Sequence, residues 1–334
     1  HEDAVRVLKA LRALDQWFEE ERVERATTEL LTVARDFQPD LFISEVFLSA
    51  AGLAAEAVDV PFVVAGWPAM PPKQSGGHPA VVDEARGRLE RLCQHFAIAG
   101  LNWTAVGPPA QESPHLHLTY WSPRWYSGVD LRPQTVHVGG IARPVTSTTT
   151  APAWDDTLTW VFITLGTSFG NDPNFFVLAA RAAVEIGCLP ILALAGQFLP
   201  EQEEALRTML PPETVIEQAI EFSTTLPKMA AAIHHGGAGV THALVTHAVP
   251  QIIVPHAADQ FHQAQGVVRS GIGYHMAAPS VTVEKLTSAL AQLLPDLGAV
   301  RAQAATLRDE FAALGGIGAA ADRLEAQVTE THRR

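Results

Sequence analysis

Three stretches of this chain bring glycines, strand ends and polar side chains together in an order that could do chemistry. Residues 231–242 read Ala-Ala-Ile-His-His-Gly-Gly-Ala-Gly-Val-Thr-His, a short buried strand, a glycine turn and the start of a helix. Glycine lets a ligand reach the backbone, and the first amides of a helix are free to hold an anion. A diphosphate placed on Gly236, Gly237, Ala238 and Gly239 would gain amide hydrogen bonds, the positive end of the helix dipole and the imidazole of His235. This is phosphate-binding chemistry. His234, alternating to the other side of the strand, reads as structural.

Leu165-Gly166-Thr167-Ser168-Phe169-Gly170 also follows an apolar run, and the hydroxyls of Thr167 and Ser168 can point into a crevice beside Gly166. Taken alone it is ordinary turn chemistry. Asp259-Gln260 follows the apolar run 251–254 and pairs an acceptor-only carboxylate with an amide that donates and accepts, a combination suited to sugar hydroxyls. Asp259 also fits a helix N-cap, and both roles are compatible. His234, His235, His242, His247, His256 and His262 crowd one stretch, yet His242 and His247 are five apart and share no helix face. No cysteine or acidic residue completes a zinc-like spacing, so no metal is expected.

The elements that must position these groups alternate. Residues 4–35 carry a helical apolar period broken near 19–25, 41–44 reads as a strand, 49–57 as an alanine-rich helix and 60–65 as a second strand. A proline- and glycine-rich loop spans 67–77, a helix 81–96, and short strands lie near 116–118 and 135–138. Residues 145–153, rich in serine, threonine and proline, read as a linker. Beyond it strands at 158–165, 189–195, 214–219, 231–234 and 251–254 alternate with helices at 174–186, 201–209, 237–246 and 260–270, with more helix from 281. That pattern predicts a doubly wound open sheet whose ligand lies at the carboxyl ends of its strands.

At 334 residues the chain is long enough for two domains. Only 18% of residues are charged and no apolar run approaches a bilayer-spanning length, so no membrane span is expected. The formal charge of -13 argues against a nucleic-acid partner and requires any phosphate to be met locally. Cys93 and Cys188 give neither a disulfide framework nor zinc spacing, which fits a reducing cytoplasm. The chain opens at His1 without methionine or leader, in an amphipathic pattern, and is read as the interior of a longer protein.

With these residues in view, the chain resembles a family 1 glycosyltransferase of the GT-B type, of the bacterial natural-product branch that decorates polyketides, macrolides and other small hydrophobic aglycones. The resemblance is carried most specifically by His235-Gly236-Gly237-Ala238-Gly239 and Pro255-His256-Ala257-Ala258-Asp259-Gln260. It is supported by Pro39-Asp40-Leu41-Phe42-Ile43-Ser44, Ser113-Pro114-His115-Leu116-His117-Leu118, Val138-Gly139-Gly140 and Ile163-Thr164-Leu165-Gly166-Thr167-Ser168.

The resemblance implies an α/β GT-B fold of two Rossmann-like domains facing a cleft: an acceptor domain over 1–145 lacking its opening strand and helix, a nucleotide-sugar domain over 153–316, and a C-terminal helix within 317–334 crossing back to the first domain. It implies inverting, metal-independent transfer from a UDP- or dTDP-sugar to a hydroxyl of a small hydrophobic acceptor, with no cofactor. His235 and the amides of 237–240 would stabilise the leaving diphosphate. Thr167 and Ser168 would help hold phosphate, Phe222 and Ser223 would flank the base, and Asp259 and Gln260 would read the sugar.

Two departures stand out. Family members commonly carry a hydroxyl residue where Val240 stands, so one phosphate hydrogen bond is lost or passes to Thr241. The first strand and the glycine-histidine loop bearing the general base are absent from these residues. Glu45 matches the carboxylate that orients that base. None of His78, His95, His115 or His117 stands at the base's place. Phe47, Trp67 and the loop 68–79 are acceptor-pocket candidates. A non-catalytic nucleotide-sugar-binding or activator homologue, and a nucleotide-sugar epimerase, remain as alternative readings.

Overall fold

The computed structural model describes residues 2–66, 69, 78–140, 155, 157–167, 171–257, 259–295 and 297–331. The chain divides into two compact units. One takes the residues up to Tyr120, Gly128–Val138 and the final helix from Ile317; the other takes Trp121–Ser127 and Gly139–Gly316.

In the first unit, α1 (Glu2–Phe18) and α2 (Glu20–Phe37) are parted where the periodicity breaks. The Glu19 carboxylate accepts from the amides of Glu21 at 3.1 Å and Arg22 at 2.7 Å, so it caps α2 rather than continuing α1. There follow β1 (Phe42–Ser44), α3 (Ser49–Ala57), β2 (Phe62–Ala65), α4 (Pro79–Phe96), β3 (Leu116–Thr119) and β4 (Thr135–His137). The four strands are parallel in the order β1-β2-β3-β4. The alanines of α3 leave room for close helix packing, and residues 49–55 are all buried.

The second unit holds β5 (Trp160–Thr164), α5 (Pro173–Glu185), β6 (Leu189–Ala193), α6 (Pro200–Met209), β7 (Val215–Glu217), α7 (Phe222–Thr225), β8 (Met229–His234), α8 (Ala238–Thr246), β9 (Gln251–Ile253), α9 (Gln260–Arg269), β10 (Gly273–His275), α10 (Val283–Leu293) and α11 (Leu297–Ala313); α12 (Gly316–Thr331) closes the chain. The sheet is parallel in the order β10-β9-β8-β5-β6-β7. Strand order reverses between β5 and β8, the doubly wound arrangement whose crevice opens beyond the carboxyl ends of those two strands. Alternate residues of β5 feed opposite faces: Val161 and Ile163 pack with α5 and α10, Trp160 and Phe162 with Leu226 and Leu244.

Residues 121–127 group with the second unit, whereas the sequence reading placed everything to 145 in the first. Packing explains the difference. The buried Trp121 and Trp125 rings stack with centroids 4.2 Å apart, and Trp121 lies against His242 of α8 and Phe311 of α11. No helix among the described residues is long and apolar enough to cross a membrane.

Candidate functional site

The strand order sets β9, β8 and β5 side by side, so the segments following them, 254–260, 235–239 and 165–167, emerge as neighbours. Contacts bind the three together. Gly166 takes a left-handed φ of +65°, and a Cβ there would lie 2.7 Å from Cε1 of His235. Gly236 has φ +93°, and a Cβ there would lie 2.7 Å from the Ile253 side chain and 3.2 Å from the Gln260 carbonyl. A Cβ on Gly237 would meet His235 Nε2 at 2.5 Å. Gly166 and Gly236 are therefore fixed by backbone angle and by space, Gly237 by space alone, and the imidazole is sandwiched between Gly166 and Gly237.

His235 is 5% exposed. Burial, with the neighbouring His256 adding to it, pushes its pKa down to about 4, opposed by a hydrogen bond to the Thr164 backbone. It is thus a neutral imidazole at pH 7 in the free protein, its one N–H given to the Thr164 backbone; protonation, which a bound anion favours, supplies a second N–H to donate. Beside it, α8 begins at the N-cap Gly237, which contributes no side-chain cap. The Thr241 amide already bonds Gly237 O at 3.0 Å, while the amides of Ala238, Gly239 and Val240 have no intrahelical acceptor. Gly239 is exposed, with open space around it.

Thr241 is not part of this surface. It is fully buried and its hydroxyl donates to Gly237 O at 2.9 Å, so it cannot take over the bond that Val240 lacks. Val240 itself packs on the core beside Leu244. Thr241→Val is accordingly expected to lower stability by about 1 kcal/mol, the net worth of one hydrogen bond, while leaving nucleoside diphosphate affinity unchanged. Thermal unfolding and calorimetry on one sample check both.

The third loop is partly committed to itself. Gln260 is 2% exposed and its Oε1 accepts from the amides of His256 at 2.7 Å and Ala257 at 3.0 Å. Its oxygen holds the turn and is not open to a sugar, a correction to the sequence reading. Asp259 stands at the N-cap but makes no capping bond; its half-buried carboxylate has Gln263 Nε2 3.5 Å away. Burial raises its pKa, with Gln263, its own backbone and His262 opposing.

Thr167 is exposed after Gly166. Ser168 and Trp67, like most of the loop 68–79, lie outside the described residues. Phe222 meets Phe162 edge-on at 6.4 Å and packs on the same cluster as Val240. Ser223 spends its hydroxyl on Glu221 Oε1 at 2.9 Å, which caps α7. Sequence reasoning passed over Thr164, Gln251, Trp121 and Trp125. A polar residue two places before a glycine, Thr164-Leu165-Gly166 and His234-His235-Gly236, was the available signal for the first; the tryptophans act across long sequence distance and left none.

In the first unit, Glu45 Oε2 accepts from the Phe47 amide at 2.9 Å, turning the chain from β1 into α3. Phe47 is 37% exposed and meets Trp17 edge-on at 5.9 Å. Three histidines of this unit have partners within the fold: His78 Nδ1 accepts from the Ala80 amide, His95 lies beside Glu24, and the buried His117 accepts from the Ser113 amide at 2.9 Å. Cys93 and Cys188 are free thiols. Among the described residues no group of three or more His, Cys, Asp or Glu is placed to hold a metal ion.

Residues 196–326 match the family model of the erythromycin biosynthesis protein CIII-like C-terminal domain. The 4'-demethylrebeccamycin synthase of Lentzea aerocolonigenes is 25% identical over 90% of this chain and 77% of its own. The L-demethylnoviosyl transferase of Streptomyces niveus is 28% identical over 93% and 72%. Among solved structures, the glycotransferase of kitacinnamycin superposes with a TM-score of 0.75 over 95% of this chain and 83% of that one, at 20% identity. The spinosyn rhamnosyltransferase SpnG complexed with thymidine diphosphate gives 0.66 over 95% and 84%, at 23% identity. The chain is thus similar over most of its length to bacterial natural-product glycosyltransferases and shares the fold of such enzymes, and its residues 196–326 match the erythromycin biosynthesis protein CIII-like C-terminal domain.

Proposed function

We propose that this chain moves a sugar from a UDP- or dTDP-sugar to a hydroxyl of a small hydrophobic acceptor, with inversion at the anomeric carbon and without a metal. One observation carries the reading: a buried neutral imidazole, His235, seated between Gly166 and Gly237 beside the uncapped start of α8. Such a place favours an anion with charge to spread, as a departing diphosphate has.

In the transfer the acceptor oxygen forms its bond to the anomeric carbon as the bond to the diphosphate oxygen breaks. The electron pair leaves with the diphosphate, and the acceptor proton goes to a base. His235 and the amides of 237–240 receive the leaving charge, Thr167 and Ser168 support it, and the Phe222 ring and Ser223 backbone flank the nucleotide base. Asp259, whose carboxylate caps nothing, reads the sugar hydroxyls, while Gln260 contributes by holding the turn before it. Glu45 orients an imidazole base, a task assigned to no histidine of this chain, and Phe47 and Trp67 border the acceptor. The thymidine diphosphate bound by SpnG supports a thymidine donor.

Calorimetry with UDP and dTDP, followed by a transfer assay from dTDP- and UDP-hexoses to phenolic acceptors, tests the reading. Micromolar binding of one nucleotide and an acceptor-dependent glycoside are the expected results. Binding without transfer would leave a nucleotide-sugar-binding homologue, sugar epimerised without acceptor an epimerase, and no binding at all would remove the reading.

A further inference from the structure

Two residues that touch no ligand hold the two glycine turns of this site, and they do so by the same device. Thr164 is the last residue of β5, His234 the last of β8, and the two are direct partners across the sheet. Both are buried, at 3% and 0% exposure. The Gly166 amide donates to Thr164 Oγ1 at 3.1 Å, and the Gly236 amide donates to His234 Nδ1 at 3.1 Å. In each case the side chain accepts from the glycine two residues on, where the backbone swings to a positive φ and leaves the strand ladder.

Each side chain then hands its own proton outward to the next strand. Thr164 Oγ1 donates to the Ala193 carbonyl of β6 at 2.9 Å. Since His234 Nδ1 accepts, its proton lies on Nε2, which donates to Gln251 Oε1 of β9 at 3.0 Å. The result is two lateral links, β5 to β6 and β8 to β9, running side by side under the site and satisfying glycine amides that would otherwise be orphaned at the strand ends. Burial keeps His234 neutral, with a pKa of about 3, so protonation does not disturb its acceptor nitrogen at ordinary pH.

We infer that Thr164 and His234 are paired positioning residues for the diphosphate site: they set Gly166 and Gly236, and through these glycines the stance of His235 and the first turn of α8, without contacting the ligand. This rests on the diphosphate reading for its functional half; the latch geometry stands apart from it. The His235 ring is pressed on Gly166 and donates to the Thr164 backbone, so a shift at either latch moves the imidazole directly.

The test compares disruptive and conservative variants of the whole chain. Thr164→Val removes both hydroxyl bonds at nearly constant shape, and Thr164→Ser restores them. His234→Leu removes both imidazole bonds, whereas His234→Asn offers an oxygen to the Gly236 amide. Affinity for dTDP and UDP is read by calorimetry, amide exchange of Gly166 and Gly236 by NMR, and stability by thermal unfolding. T164V and H234L are expected to weaken nucleotide binding about tenfold each, the worth of a hydrogen bond transmitted to the site, and to speed exchange at their own glycine. T164S and H234N should recover most of both.

Wild-type affinity in T164V and H234L, with only the melting temperature lowered, would overturn the inference. Should either variant fail to fold, Gln251→Met, which removes only the outer partner of His234, takes its place with the same readouts. If the wild type binds neither nucleotide, the functional reading fails, and unaltered glycine exchange in the variants would then dispose of the latches as well.

Discussion

Replacing His235 by alanine is expected to slow sugar transfer about a hundredfold to a thousandfold, the usual consequence of removing one preorganised donor from developing negative charge. Nucleoside diphosphate affinity should fall with it. The ring is buried between Gly166 and Gly237, so its removal takes away a donor whose desolvation is already complete and lets water into its place. Steady-state kinetics and calorimetry measure the two effects. An H235A variant with unchanged affinity and rate would show that the anion sits elsewhere.

The same residue gives a pH signature whose direction follows from its depressed pKa. In the free protein the imidazole titrates near 4 and is neutral at pH 7. A diphosphate beside it favours the charged form and raises that value, so the complex holds more protons than the free protein between the two pKa values. Affinity for a nucleotide sugar, whose diphosphate diester does not titrate in this range, should therefore strengthen as pH falls from 7 toward 5, with proton uptake measurable in buffers of different ionisation enthalpy. H235A should flatten the profile. Stability runs the other way: His235 and His234 titrate near 4 and 3 when folded and near 6.5 when unfolded, so their contribution is full above about 6.5 and is lost as pH falls through the folded values.

Much of the scaffold was legible because its signals are local. The alanine-rich run at 49–57 forms α3 over those residues, and the break near 19–25 is the Glu19 cap. The strands at the centre of the second sheet announce themselves as apolar runs ending at glycine. What escaped was short or exposed: β10 has only three residues, two of them exposed, and α7 only four, too few for a period to show.

The candidate site divides in the same way. His235 and its glycines could be read from residue type and order. The direction of the Thr241 hydroxyl, the internal use of the Gln260 oxygen and the Glu45 bond to its own turn could not, because a polar side chain near a strand end serves backbone or ligand according to geometry alone. The latches at Thr164 and His234 are each local, but their pairing depends on register between β5 and β8, residues 70 apart in the chain.

Gly266→Ala carries a large expected effect on stability, and its sign is the reverse of the ordinary one. Gly266 lies inside α9, where alanine usually adds about 1 kcal/mol over glycine. Here a Cβ would overlap the Trp125 indole at Cε2, Nε1 and Cδ2. That ring is fully buried and stacked on Trp121, which is itself held against His242 and Phe311, so it has nowhere to go. The variant is expected to lose about 2–3 kcal/mol, the range for overpacking a closed core.

Trp125→Ala should cost about 3–5 kcal/mol alone, and the double variant less than the sum, since deleting the indole removes the overlap. The damage should also reach the site: α9 begins at Gln260, whose oxygen fixes the amides of His256 and Ala257, so a displaced α9 loosens the loop bearing Asp259. Chemical unfolding of the three variants and nucleotide-sugar affinity of G266A below its melting temperature test this. A G266A protein more stable than the wild type would mean that Trp125 is not seated on α9, and the link from the aromatic stack to the loop bearing Asp259 would go with it.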